Sequence, residues 1–193
     1  LTADGKQVDG GRLIVHWSRL LKADVQSQSR PSSIPPPYRL RAARPGVINW
    51  NNKGPATDFS EELYFGTLKS AWYMEELVTR HSTIMDKYDP KKKVALIVDE
   101  WGGWYNVEAG TNTGFLYQQN TMRDAMIAGM TLNIFNNHAD RVRGANLAQT
   151  VNVLQAVILT KDAKMILTPT YHVMEMYNIH QEAKLIPVSV KSN

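Results

Sequence analysis

The feature that most constrains this chain is the run Val94-Ala-Leu-Ile-Val98 passing directly into Asp99-Glu100-Trp101-Gly102-Gly103-Trp104-Tyr105. Five unbroken apolar residues, mostly branched, predict a strand buried on both faces, as in a parallel sheet. Two carboxylates, two indoles and a phenol then arrive together at the C-terminal end of that strand. In α/β folds this is the end that binds ligands. Unpaired acids are costly to bury, so Asp99 and Glu100 either pair with cations or face a ligand. Flat rings beside carboxylates suit a sugar, the rings against its apolar faces and the oxygens on its hydroxyls. The competing reading makes the indoles core.

Helical patterns flank the strand. In Thr57–Pro90, apolar residues recur at Tyr64, Leu68, Ala71 and Val78, then at His81, Ile84, Met85 and Tyr88. Asp58 and Glu61 have the spacing of an N-terminal box. Asp89-Pro90 ends the helix, because the residue before proline is pushed out of the α region. Lys91–Lys93 read as a solvated approach to the strand. A second helix is predicted within Gly114–Val142, with Met122, Met126 and Met130 as a row expected in the core. Arg141–Gln149 reads as a strand end, and Val151–Thr160 is apolar again. A third helix is expected in Thr168–Ala183, with His172 and His180 structural rather than metal-binding. Lys184–Val190 alternates like the first strand of a β-rich continuation.

Helix, acid-tipped strand, helix, short strand, helix is the pattern of a piece of α/β barrel. A complete (β/α)₈ barrel typically takes about 250 residues, more than the 193 present.

Residues 1–45 differ in texture. They hold eight Lys/Arg against three Asp, whereas the remaining 148 residues carry 14 basic and 15 acidic side chains. The excess basicity therefore belongs to one Pro/Ser/Arg-rich segment, with Pro35–Pro37 favouring polyproline II and a short apolar patch at Leu13–Trp17. The absence of cysteine excludes disulfide scaffolds, thiolate metal sites and thiol nucleophiles. No run reaches the roughly 18 apolar residues of a membrane span. With no signal-like start and no Asn-x-Ser/Thr sequon, the expectation is a cytoplasmic protein with no membrane or nucleic-acid partner.

From Trp50 to Val190 the chain resembles the C-terminal part of the catalytic barrel of family 51 glycoside hydrolases, the α-L-arabinofuranosidases. The stretches that carry the likeness are KGPATDFSEE, TRHSTIMDKYDP, VALIVDEWGGWYNVEAGTNTGFLYQQNTMRDA, HADRVRGANLAQTVNVLQAVILT and LTPTYHVMEMY. The resemblance implies a partial (β/α)₈ barrel over residues 46–183 and the start of a C-terminal β domain over 184–193, with 1–45 unlike the family. It implies removal of terminal α-L-arabinofuranosyl residues from arabinan, arabinoxylan and their oligosaccharides, with retention of configuration, no metal and no cofactor. It also implies that the full-length proteins are homo-oligomers. By the same resemblance Glu100 is the nucleophile, Trp104 lines the sugar subsite, and Gln149 donates hydrogen bonds to the arabinose. Asp99 is an orienting acid that does not react.

One departure stands beside the match. A retaining glycosidase needs a second carboxylic acid about 5–5.5 Å from the first. The family carries it in a Gly-Asn-Glu motif, and no Asn-Glu dipeptide occurs in this chain. The family's His-Tyr-Tyr strand before Trp50 is missing too. The expectation is a fragment, or a gene model with a shifted leader, that is inactive and exposes apolar faces. The alternatives are another family 51 specificity (endoglucanase or xylosidase) and a noncatalytic binding protein using the basic N-terminal segment.

Overall fold

A computed structural model of the chain describes the backbone of Tyr38–Leu40, Asn51 and residues 53–192. The Leu13–Trp17 patch and the Pro35–Pro37 run lie outside the described residues. In order, the elements are β1 (Tyr38–Leu40), α1 (Glu61–Tyr88), β2 (Leu96–Trp101), a 3₁₀ turn at Thr113–Phe115, α2 (Met122–Asn137) and β3 (Val142–Leu147). A hairpin follows, β4 (Ile158–Lys161) with β5 (Lys164–Leu167), then α3 (Pro169–Met176) and a 3₁₀ turn at Tyr177–His180.

β1, β2 and β3 form one sheet in chain order, every pair parallel. Parallel neighbours require crossovers, and α1 and α2 are those crossovers. β4 and β5 pair antiparallel in a separate two-stranded sheet. β1 falls in the Pro/Ser/Arg-rich segment, where the sequence had suggested no strand.

The helix ends follow local chemistry. Ser60 caps α1, its side chain accepting from the Leu63 N–H at 3.1 Å. The predicted Asp58/Glu61 box does not form, because Asp58 sits at φ +53° in the left-handed region, outside the helix. Asp89 closes α1 as expected, donating its N–H to the Met85 carbonyl. α1 buries Leu68, Ala71, Met74, Val78 and Met85 but leaves Ile84 and Tyr88 exposed. Thr121 and Asp124 make a reciprocal capping box at the start of α2. Thr168 caps α3, with Pro169 in its first turn.

The methionine row of α2 is a correction to the sequence reading. Met122 and Met126 are exposed, because the helix turns Ala125, Ala128, Leu132 and Phe135 to the sheet instead. The methionine row centres about 140° round the helix from that stripe. The C-terminal alternation is a second correction. Lys184–Val190 forms no strand; Leu185, Ile186, Val188 and Val190 are exposed, and no strand among the described residues pairs with them.

β2 starts two residues later than Val94 and is buried in alternation rather than on both faces. Leu96, Val98 and Trp101 join the core formed with α1, α2 and β3, and Trp101 meets Phe135 edge-on at 5.6 Å. The register of β2 on β3 shifts between Val98 and Trp101. That bulge returns Trp101 to the helix-packed face and leaves both Asp99 and Glu100 out of the core, the re-aiming that bulges commonly perform.

At the opposite, N-terminal end of the sheet, Arg141 is fully buried. Its guanidinium pairs with Asp86 and with Asp89 at 2.8 Å, and also donates to the Val94 and Asp89 carbonyls. Lys92 pairs with Asp140 beside it, so the lysine run is partly tied down rather than wholly solvated.

Candidate functional site

The four residues singled out from the sequence lie at the C-terminal ends of two adjacent parallel strands. Asp99 and Glu100 are in the last turn of the pleat of β2, and Gln149 lies two residues beyond β3. Trp101 pairs with Leu147 across the two strands, and the Ala148 N–H bonds to the Trp101 carbonyl at 2.8 Å. This pairing puts Gln149 at the level of the loop that leaves Glu100. The Ala148–Gln149 peptide is cis.

Glu100 is half-buried, and its carboxylate makes no hydrogen bond or ion pair among the described residues. Asp99 is also half-buried; the Asn146 side chain donates to its carbonyl at 3.1 Å, tying β2 to β3 just before the acid pair. The two indoles divide between the two readings. Trp101 is core, whereas Trp104 is only half-buried, with the Lys53 ammonium 5.9 Å from its ring centre.

Behind these residues is a layer of buried polar groups that the sequence reading missed. Gln155 is fully buried; its amide oxygen accepts from the Gly103 N–H at 2.7 Å, and its amide nitrogen donates to the Asp124 carbonyl at 2.8 Å and to Thr170 Oγ1 at 3.2 Å. Gln118 accepts from the Tyr105 N–H at 2.9 Å and donates to the Gly103 carbonyl at 3.4 Å. Arg123 is sandwiched 3.8 Å from both the Phe59 and Tyr105 rings and donates to the Pro55 carbonyl at 2.9 Å. Such stacking is worth most where water is excluded.

Burial dominates the electrostatics of this layer. Desolvation raises the Asp124 carboxyl to about 6, against the opposing Thr121 hydrogen bonds and Arg123 charge. Burial, with Asp124 adding to it, pushes the Tyr105 phenol well above its ordinary value. Near the third helix, His172 lies 3.3 Å from Glu175, and the Tyr177 ring stacks edge-on against His180. No group of three or more His, Asp or Glu suited to a metal ion occurs among the described residues.

Comparison with known proteins places this geometry. Residues 99–193 match the family model described as the α-L-arabinofuranosidase C-terminal domain, starting inside β2 at Asp99. An intracellular exo-α-L-arabinofuranosidase from Bacteroides ovatus is 50% identical over 145 residues, which are 75% of this chain and 28% of the relative. The crystal structure of the GH51 arabinofuranosidase from Xanthomonas axonopodis pv. citri superposes with a TM-score of 0.72 at 52% identity, covering 74% of this chain and 29% of that one. The α-L-arabinofuranosidase from Thermotoga maritima, solved as an arabinose complex, gives 0.52 at 28% identity, covering 61% and 24%. The resemblance read from the motifs is therefore shown, over part of the chain. The chain spans under a third of the length of these relatives.

Gln118 and Gln155 carry no local signal: each lies in an irregular stretch and is defined by bonds to residues 13 to 52 positions away. The Thr121–Asp124 box was readable, since Thr-x-x-Asp stands immediately before an apolar periodic run.

Proposed function

We propose that these residues are the nucleophile-bearing part of a retaining exo-α-L-arabinofuranosidase whose fold is a (β/α)₈ barrel. The observation that carries the reading is the state of Glu100. It is a half-buried carboxylate with no partner among the described residues, at the C-terminal end of a parallel strand, in a chain whose relatives are named arabinofuranosidases. The unbroken order β1-β2-β3 with helical crossovers supports a barrel segment.

In this mechanism Glu100 attacks the anomeric carbon of a terminal α-L-arabinofuranosyl residue. The bond to the leaving oxygen breaks, and a covalent glycosyl-enzyme forms. Water then attacks the same carbon, freeing arabinose with retained configuration and returning the Glu100 carboxylate. Trp104 offers an aromatic wall to the sugar ring, and Gln149 donates hydrogen bonds to its hydroxyls. Asp99 orients this end of the strand without reacting. The acid that protonates the leaving group belongs to a Gly-Asn-Glu motif outside these 193 residues. Without that acid the chain alone is inactive towards natural glycosides, and only substrates whose leaving group departs unprotonated remain within its reach. The substrates are arabinose-containing oligosaccharides and polysaccharides, met inside the cell as for the named relatives, and the full-length protein is a homo-oligomer.

The test is hydrolysis of a dinitrophenyl α-L-arabinofuranoside and of an alkyl one by the chain and by Glu100→Gln. The reading expects turnover of the dinitrophenyl glycoside only, abolished in the variant. Equal turnover by Glu100→Gln would overturn it.

A further inference from the structure

The Gly102-Gly103-Trp104-Tyr105 segment is held by two buried amides rather than by charge. Gly103 donates its N–H to Gln155 Oε1 at 2.7 Å and offers its carbonyl to Gln118 Nε2 at 3.4 Å. Tyr105 donates its N–H to Gln118 Oε1 at 2.9 Å. The backbone on both sides of Trp104 is thus gripped, while the Trp104 ring itself stays half-buried. Gln155 reaches the other side of the site as well, its own N–H bonding to the Ala148 carbonyl at 3.1 Å. The fit is close. Gly102 lies at φ +143°, and a Cβ there would meet the Ala148 oxygen at 3.2 Å; a Cβ on Gly103 would meet the Tyr105 hydroxyl at 2.9 Å.

We infer that Gln118 and Gln155 are positioning residues, a neutral bracket that fixes Trp104 and the Ala148–Gln149 strand end relative to Glu100. Amides suit this task because they satisfy buried N–H and C=O groups in both directions, whereas a charge would have to be desolvated and would perturb the neighbouring carboxylate. Gln155 is further locked by donating to the Asp124 carbonyl and to Thr170, so the bracket is anchored on the capped starts of α2 and α3. The catalytic consequence rests on the arabinofuranosidase reading; the structural consequence does not.

The test uses Gln155→Met and Gln118→Met, which keep length and remove the amide, in the full chain. Two readouts are followed: amide hydrogen exchange at Gly103 and Tyr105, and KM for a dinitrophenyl α-L-arabinofuranoside. A loss of folded protein lowers apparent kcat but leaves KM alone. Displacement of Trp104 raises KM, by about tenfold. The double variant Gln155→Met/Trp104→Ala is expected to match Trp104→Ala in KM, because both changes remove the same contact. Exchange at Gly103 accelerates in Gln155→Met, and exchange at Tyr105 accelerates in Gln118→Met. Unchanged exchange in both variants, or KM effects that simply multiply with Trp104→Ala, would overturn the bracket. Should Gln155→Met fail to fold, Gln118→Met carries the same test. Absence of turnover in the parent chain would count against its acting alone on activated substrates, and the exchange rates would still decide the bracket.

Discussion

The two ends of the parallel sheet are built on opposite electrostatic plans. At the N-terminal end the fixing is done by ion pairs: Arg141 with Asp86 and Asp89, Lys92 with Asp140. The Val94 N–H and Arg141 hold the Asp89 carboxyl below its ordinary value despite some desolvation. For Asp140, desolvation works upward, but the Lys92 ammonium outweighs it and the net shift is downward. At the C-terminal end the fixing is done by neutral amides, and Glu100 has no partner among the described residues. A charge that is fully paired has no reactivity left to offer; a positioned carboxylate without a partner does. Under the proposed function the contrast puts stability at one end and chemistry at the other, the division found in barrel architecture.

The contrast can be broken most forcefully at Glu100. Its replacement by glutamine is expected to lower turnover of an activated arabinofuranoside by about 10⁴–10⁶-fold, the scale of losing a covalent nucleophile, with an unchanged melting temperature. Arg141→Met should do the reverse. It strands Asp86 and Asp89 and costs about 3 kcal/mol in denaturant unfolding, while turnover per folded molecule is unchanged.

The two tryptophans sharpen the same division. Trp101→Ala opens a cavity beside Phe135 and should cost about 3–5 kcal/mol of stability. Trp104→Ala should leave the unfolding midpoint nearly unmoved and raise KM about tenfold, as the proposed sugar-lining role of a partly exposed ring requires. A Trp104 variant that lost stability but not affinity would place that ring in the core after all.

A further contrast is a pH dependence of opposite sign at the two ends. Asp89 and Asp140 have folded-state values below the unfolded 3.8, so their contribution is present above that pH and lost as the pH falls through the folded values. Asp124 is raised to about 6 from 3.8, so its burial favours the folded state at low pH and costs stability as the pH rises between those values. Asp124→Asn should therefore gain on the parent by about 2 kcal/mol on going from pH 4 to pH 7. Unfolding curves at the two pH values check this, and a difference that stayed flat or fell would contradict it.

Much of this plan was legible in the residues because its signals are local. The run Val94–Val98 with acids at its tip, the stop at Asp89-Pro90 and the helical spacing of Leu68, Ala71 and Val78 need only a few neighbouring positions to read. What was missed depends on distant partners. The Met122 row has helical spacing, but spacing alone does not say which stripe faces the sheet, and the small residues Ala125 and Ala128 won that face. Lys184–Val190 alternates like a strand, yet a strand exists only where a neighbour takes its hydrogen bonds. β1 was hidden for the converse reason: Tyr38–Leu40 is only three residues long and is fixed by pairing with Leu96–Val98. Within the site, Glu100 and Trp104 were readable from one motif, whereas Gln118 and Gln155 are defined only by the chain folding back.

The central claim is that Glu100 carries the sugar. It is tested most directly by mixing the chain with a dinitrophenyl 2-deoxy-2-fluoro-α-L-arabinofuranoside, which glycosylates quickly and releases slowly, and mapping the adduct by peptide mass spectrometry. The account predicts one fluoropentosyl adduct on the peptide containing Asp99-Glu100-Trp101, localised to Glu100 and absent in Glu100→Gln. An adduct on any other carboxylate, or release of dinitrophenol unchanged by the Glu100 substitution, would contradict it.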